Sequence, residues 1–174
     1  MDWTNVILRV IELDTFDNIW FWMAVVVSWA VACHWMIGVP FDLLVRARRG
    51  EEEAQADLEA LVAINLRRFS WFYRYAGAGF VGLAAFFLAG TALLAVVYRF
   101  EFAIGLLVLG GPLTGVALMN LRLALALIAA PLEGRALVSR LLRVRVWTQV
   151  AAAFSLFVTA VYGMAFNIAA GNFY

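Results

Sequence analysis

Four long apolar stretches divide the chain, at residues 19–39, 71–98, 102–122 and 146–167, and none of them contains Asp or Glu. A bilayer core roughly 30 Å thick needs about 20 apolar residues of helix to cross it. The pattern therefore predicts an all-α integral membrane protein with four spanning helices, arranged as two antiparallel hairpins. Residues 1–174 would then form a single membrane domain.

The residues before the first stretch predict a helix lying in the membrane interface. Apolar residues recur at helical spacing in residues 3–13, as expected for a short amphipathic helix at the outer surface. Thr15 and Asn18 are the expected caps for the turn into the first span. Acidic residues precede that span and no small-residue cleavage site follows it, so we expect it to stay in the protein rather than to be removed as a signal peptide.

Two segments between the spans, residues 40–70 and 123–145, are predicted to be interfacial helices at the cytoplasmic surface. Gly50 and Pro131 are expected to interrupt them, because proline cannot continue a helix and glycine commonly ends one. In the first segment five apolar residues share one helical face: Leu58, Leu61, Val62, Leu66 and Phe69. That face either rests on lipid headgroups or on span four, or it docks a cytoplasmic partner.

Composition and charge support a membrane protein and set its orientation. The chain has 66% hydrophobic and 14% charged residues, and its 13 basic residues are all arginine. Six arginines lie between spans one and two and five lie at or after the end of span three, whereas only Arg9 and Arg99 lie on the opposite side. In membrane proteins the cytoplasmic loops carry more arginine and lysine than the loops on the other side of the membrane. Both termini are therefore predicted to be periplasmic, in a bacterial inner membrane.

Small residues in spans two and three predict close helix packing. Gly111 and Gly115 form a GxxxG pair, and Gly79 and Gly82 lie on the neighbouring span across the short "YRFEF" turn. Small residues allow two backbones to approach closely inside a bilayer. We expect this contact within the chain, with contact to another subunit as the alternative. A large residue at Gly111 or Gly115 should then do more harm than one at Gly105.

The sequence carries no pattern typical of catalysis. Phosphate-binding loops, paired cysteines and nucleophile elbows are all absent, and a single histidine and a single cysteine cannot supply the three or four ligands of a metal site. We expect neither an enzyme nor a bound cofactor. One alternative stays open at His34, roughly 8 Å inside the predicted cytoplasmic boundary of span one. Ala30 precedes it by one turn, a spacing similar to that of light-harvesting helices that ligate bacteriochlorophyll, whereas haem would need a second ligand from another chain.

The arginines after Pro131 are expected to contact lipids. Arg135, Arg140, Arg143 and Arg145 suit anionic headgroups, each contributing about 1 kcal/mol near the surface. Orientation already accounts for a basic segment beside a membrane, so no nucleic acid is expected as a partner. Cys33 is expected to pack as a small apolar group.

The first half of the chain also resembles a known group of proteins, through "HW", "GVPFD", "RARR" and "QADLE". These stretches are similar to short multi-span inner-membrane proteins of Rhodobacter-type alphaproteobacteria that are often labelled component of a Suf iron–sulfur assembly complex. The motifs carry no known chemistry, so the resemblance transfers no functional residue. It implies a host membrane rich in photosynthetic and respiratory complexes, and it admits a role as membrane anchor for iron–sulfur assembly.

These observations favour a non-catalytic accessory or assembly subunit of a larger inner-membrane energy-converting complex. That complex would be respiratory or photosynthetic, the latter meaning a reaction centre or light-harvesting assembly. Its expected partners are membrane lipids and the other subunits. The alternative is a free-standing membrane protein that binds a lipid, quinone or pigment.

Overall fold

The computed structural model describes residues 15, 16, 18–34 and 37–170, and these residues form helices and no strand. The helices are α1 (Ile19–His34), α2 (Phe41–Arg49), α3 (Glu52–Val96), α4 (Glu101–Ala129) and α5 (Gly134–Ala170). The predicted all-α architecture is confirmed for this part of the chain. The interfacial helix predicted at residues 3–13 lies outside the described residues.

Three of the helices, α3, α4 and α5, are long and apolar enough to cross a membrane. At 1.5 Å per residue α3 is roughly 67 Å long and α5 roughly 55 Å, both far longer than a bilayer core. The segments predicted as separate interfacial helices are therefore continuous with their spans. No proline or positive-φ residue interrupts the chain between Glu52 and Val96, so the backbone bonds of α3 run through the predicted boundary near residue 71.

The first span is shorter than the sequence predicted. Helix α1 contains 16 residues, and its length of about 24 Å is less than the roughly 30 Å of a bilayer core. Ile37 and Gly38 both have positive φ, at 50° and 69°, and Pro40 then leads into α2. The predicted boundary at residue 39 is therefore wrong, because consecutive left-handed residues turn the chain before that point.

Both predicted helix breaks are confirmed. Gly50 adopts a φ of 90° and ends α2, and its N–H group donates to the carbonyl of Ala47. Beside it, the hydrogen bond from Arg46 Nε to the Glu51 carboxylate, 2.7 Å long, raises the pKa of Arg46. Helix α4 ends at Ala129 two residues before Pro131, because proline has no N–H group to continue the helical bonding.

A long-range hydrogen bond holds the start of α5. The Gly134 N–H group donates to Glu59 Oε1 of α3 at 2.7 Å. The first N–H groups of a helix have no partner within the helix, and its N-terminus carries partial positive charge. The Glu59 carboxylate therefore caps α5 and fixes it against α3.

One hydrophobic core occupies the end of the molecule that carries most of the arginines. We call it the arginine-end core. It contains Val39, Leu44, Ala47, Ala54, Leu58, Val62, Leu123, Leu127, Leu137, Val138, Leu141 and Val144. Leu58 and Val62 of the predicted stripe are buried in it and Leu66 packs against it. These three residues are therefore covered within the chain by α2, α4 and α5, whereas Leu61 and Phe69 are half-buried, and docking of a partner stays a prediction.

A second core joins α1, α4 and α5 at mid-height. This mid-helix core contains Val25, Trp29, Leu109, Val116 and Ala152, with Cys33 packed at its edge. The expectation that Cys33 packs as a small apolar group is confirmed. No residue of α3 belongs to this core, although the first half of α3 is central to the arginine-end core. The apolar half of α3 is thus at the periphery of the molecule.

Close packing through glycine occurs at the end opposite the arginines. Phe16 is buried and its ring centroid lies 5.4 Å from that of Phe21 and 5.5 Å from that of Tyr162. The Phe16 N–H group donates to Glu101 Oε1 at 2.9 Å, which ties this turn to the start of α4. Gly105 and Gly163 border this aromatic cluster, and each lacks room for a side chain.

Candidate interaction surfaces

The structure does not place the predicted packing glycines against another helix of the chain. A Cβ atom added at Gly79, Gly82, Gly111 or Gly115 would meet no described atom within 4 Å beyond its own helix turn. The expected contact within the chain is therefore wrong as far as the described residues show. The alternative, in which these glycines face another subunit, stays a prediction.

The open glycines of α3 share one side of that helix, which we call the outer face. At 100° per residue Gly79, Gly82 and Gly90 lie within about 80° of each other. They lie about 140–160° around the helix from Gly77 and Ala95, the buried positions in this half of α3. The outer face also carries Phe86, whose side chain is 72% exposed. It is therefore a row of small and large apolar residues turned away from the rest of the chain.

His34 lies at the C-terminal end of α1. It is the last residue of the helix and is exposed, as is Ala30 one turn earlier. Helix α1 ends at His34 rather than at the predicted residue 39, and the depth of His34 in a membrane stays a prediction. Among the described residues none forms a hydrogen bond or ion pair with His34, and none of their side chains forms a group of three or more metal ligands. A macrocycle at His34 stays a prediction.

The four arginines predicted to contact lipid have different surroundings. Arg135, Arg140 and Arg143 are exposed on α5. Arg145 is only 9% exposed, and its guanidinium carbon lies 4.2 Å from the ring centroid of Phe41. The assignment of Arg145 to lipid headgroups is corrected, because the side chain turns inward onto an aromatic face, a favourable position for a cation.

A groove of about 950 Å³ lies between the turn after α1 and the middle of α3. Asn65 of α3 supports the turn, since its Nδ2 atom donates to the carbonyl oxygen of Ile37 at 3.0 Å. The groove is lined by Ile37, Gly38, Ile64, Asn65, Arg67, Arg68, Phe69, Trp71 and Phe72. Apolar and aromatic side chains with two arginines at one side can hold a molecule that is part apolar and part anionic. The sequence did not reveal this groove, because Ile37 and Trp71 lie 34 positions apart along the chain.

A second cavity, of about 370 Å³, lies between α4 and α5. Arg122 and Arg140 both line it, together with apolar residues and Gly115. Only Arg140 was expected to contact a ligand. Arg122 is the first of the five arginines at or after the end of the predicted third span, which the sequence uses only to set orientation; the absence of acidic residues one turn away on α4 is the signal that could have indicated a free cation.

The described part of the chain is all-helical, with three helices long and apolar enough to span a membrane and with two cavities near its arginine-rich end. Comparison with protein-family models, with curated proteins and with solved structures gave no match to this chain.

Proposed function

We propose that this protein is a non-catalytic accessory or assembly subunit of a larger energy-converting complex of the bacterial inner membrane, photosynthetic or respiratory, and that it contacts its partners through the outer face of α3. The observation that carries the proposal is the unequal burial of the three long helices. In the most apolar 18-residue window of α3, only 6% of the residues are buried within the chain. The corresponding share is 22% for α4 and for α5.

Exposed apolar residues by themselves suit lipid as well as protein. The glycines of the outer face distinguish the two partners. Each glycine weakens a helix by about 1 kcal/mol relative to alanine, and contact with lipid gives nothing in return. Contact with another helix does, because Gly79 and Gly82 allow its backbone to approach closely. Three open glycines on one face therefore favour a neighbouring helix from another subunit.

Purification from the native membrane in mild detergent tests this proposal. We expect the wild-type protein to co-migrate with a large complex and Gly79→Leu to reduce the co-migrating fraction about tenfold. A tenfold loss corresponds to about 1.4 kcal/mol, within the range of about 1–3 kcal/mol for an overpacked contact.

Ala85→Leu is the matched control for Gly79→Leu. Ala85 is also exposed on α3, but it lies about 120° around the helix from Gly79. Its substitution should leave co-migration within about twofold of wild type, as for a surface change. Equal release of both variants would contradict a contact through the outer face, and a wild-type protein that migrates alone would contradict the accessory role itself.

The groove beside α3 supports a second candidate function, a free-standing protein that binds a lipid, quinone or pigment. Its volume of about 950 Å³ lies within the range of sites for small molecules. The same purification decides between the two functions: a lone particle that carries a stoichiometric lipid or quinone would favour this candidate. A near-infrared or haem absorption band would assign a pigment, with His34 as the first ligand to test. Iron–sulfur anchoring stays a prediction from resemblance alone.

The proposal includes an orientation with both termini periplasmic and α1 as a fourth, short span. The arginine distribution supports it, and the arginine-end core would then lie at the cytoplasmic surface. Single cysteines at Gly50 and Gly134, in a Cys33→Ala background, should react with a membrane-impermeant thiol reagent only after the inner membrane is opened. Cysteines at Asn5 and Asn172 should react while the inner membrane is still intact, as soon as the reagent reaches the periplasm. Labelling at Gly50 from the periplasm would reverse the orientation.

A further inference from the structure

We propose that the cavity between α4 and α5 is a binding site for an anionic phospholipid, in which Arg122 and Arg140 hold the phosphodiester and the apolar lining holds the start of an acyl chain. This inference is independent of the accessory role in a complex. It concerns a different face of the molecule from the outer face of α3.

Charge is the first argument. Arg122 comes from α4 and Arg140 from α5, and both line one cavity of about 370 Å³. Among the described residues neither arginine has a carboxylate within 4.0 Å, and the ion pair found there joins Arg46 and Glu51. Both side chains are exposed, so an anion can reach the two positive charges that no carboxylate of the described chain neutralises. Phosphate oxygens fit the planar donors of arginine and accept two hydrogen bonds from each.

The shape of the cavity favours a lipid over a free anion. Its apolar lining continues along α4 from Arg122 through Leu118 to Gly115, a distance of roughly 10 Å. Gly115 has no side chain, and a Cβ atom there would meet no described atom within 4 Å, so the apolar side of the cavity is open beside Gly115. A headgroup at one end and an acyl chain at the other match this polarity.

The position along the spans supports the same ligand. Arg122 is the last residue of the predicted third span, and Arg140 precedes the predicted fourth span by six residues. On these predicted boundaries the two arginines lie at headgroup depth, on the predicted cytoplasmic side, where basic pockets between spanning helices bind anionic lipids. The open glycine at position 115, without a role in packing within the described chain, acquires a role in admitting the lipid.

Native mass spectrometry of the full-length detergent-purified protein tests the site. Phosphatidylglycerol is titrated against phosphatidylcholine of the same acyl composition, and the bound fraction is measured for each lipid. We expect one phosphatidylglycerol molecule to be retained in preference to phosphatidylcholine. Arg122→Gln and Arg140→Gln should each weaken its binding about fivefold, the effect of one basic residue at a headgroup. Gly115→Leu should weaken it to a similar extent while leaving both charges in place.

Arg143→Gln is the matched control, since Arg143 is exposed on α5 but does not line the cavity. It should change phosphatidylglycerol binding by less than twofold. An equal loss for Arg143→Gln would mean diffuse surface attraction and would overturn the site. Competition with inorganic phosphate distinguishes the source of the anion: phosphate that displaces the lipid at millimolar concentration, together with normal binding in Gly115→Leu, would make the site a free-anion site and overturn the lipid assignment. A circular-dichroism melt identical to that of wild type verifies that each variant is folded.

Discussion

Replacing Leu58 with alanine is expected to lower the free energy of unfolding by about 2–5 kcal/mol, the range for a fully buried leucine that leaves a cavity. Leu58 is 0% exposed at the centre of the arginine-end core. Its neighbours there come from α2, α4 and α5, so no single side chain can move into the space. Denaturant unfolding in detergent micelles, followed by tryptophan fluorescence, measures the loss.

The control for this variant is Leu94→Ala on the same helix. Leu94 is 42% exposed in the apolar half of α3, and its truncation should change stability by no more than about 0.5 kcal/mol. The comparison also tests the architecture. If residues 51–70 rested on lipid headgroups, as one sequence interpretation held, Leu58→Ala would cost no more than Leu94→Ala, and the arginine-end core would be refuted.

Replacing Gly105 with leucine is expected to destabilise the protein by about 1–3 kcal/mol through overpacking. A Cβ atom at Gly105 would lie 3.0 Å from Phe21 Cε2 and 3.1 Å from Thr15 Cγ2, closer than side chains normally approach. The Phe21 ring cannot retreat easily, because its edge already packs against Phe16, which is 3% exposed. The rest of a leucine side chain would therefore force α1 away from α4.

Gly111→Leu, on the same helix, is the control and should be tolerated, since a Cβ atom there meets no described atom. A helix gains up to about 1 kcal/mol when glycine is replaced by a better helix former, so Gly111→Leu is expected to be neutral or slightly stabilising in the isolated protein. Thermal unfolding in detergent compares the two variants. A greater loss at Gly111 than at Gly105 would restore the sequence-based expectation and contradict the packing seen here.

The stability measurements and the co-migration measurement together separate folding from association. Gly105 and Leu58 are buried within the chain, so their variants should lose stability in every detergent. Gly79 is open in the isolated chain, and its leucine variant should remain as stable as wild type while losing its partner. A protein whose Gly79→Leu variant unfolds would not carry a separate interaction surface on α3.

The sequence by itself determined the helical class, three of the four predicted apolar spans and both helix breaks, because these depend on local chemistry. Apolar stretch length can be compared directly with bilayer thickness, and Gly50 and Pro131 end helices through their own backbones. The sequence also predicts the apolar stripe around Leu58, since polar residues on the other faces of the helix make the helical repeat visible. It does not predict what covers the stripe, because lipid headgroups and protein can both cover an apolar face.

Only the tertiary structure decided which small and which charged residues have a role in packing. Inside a membrane all faces of a helix are apolar, so periodicity no longer marks the side that meets protein. Gly105 and Gly111 are therefore equivalent in the sequence, and the aromatic ring of Phe21 makes them different. Arg140 and Arg145 are likewise two arginines of one basic segment. They are five positions apart, and at 100° per residue this places them on different sides of α5, so Arg140 lines the cavity shared with α4 and Arg145 lies on Phe41.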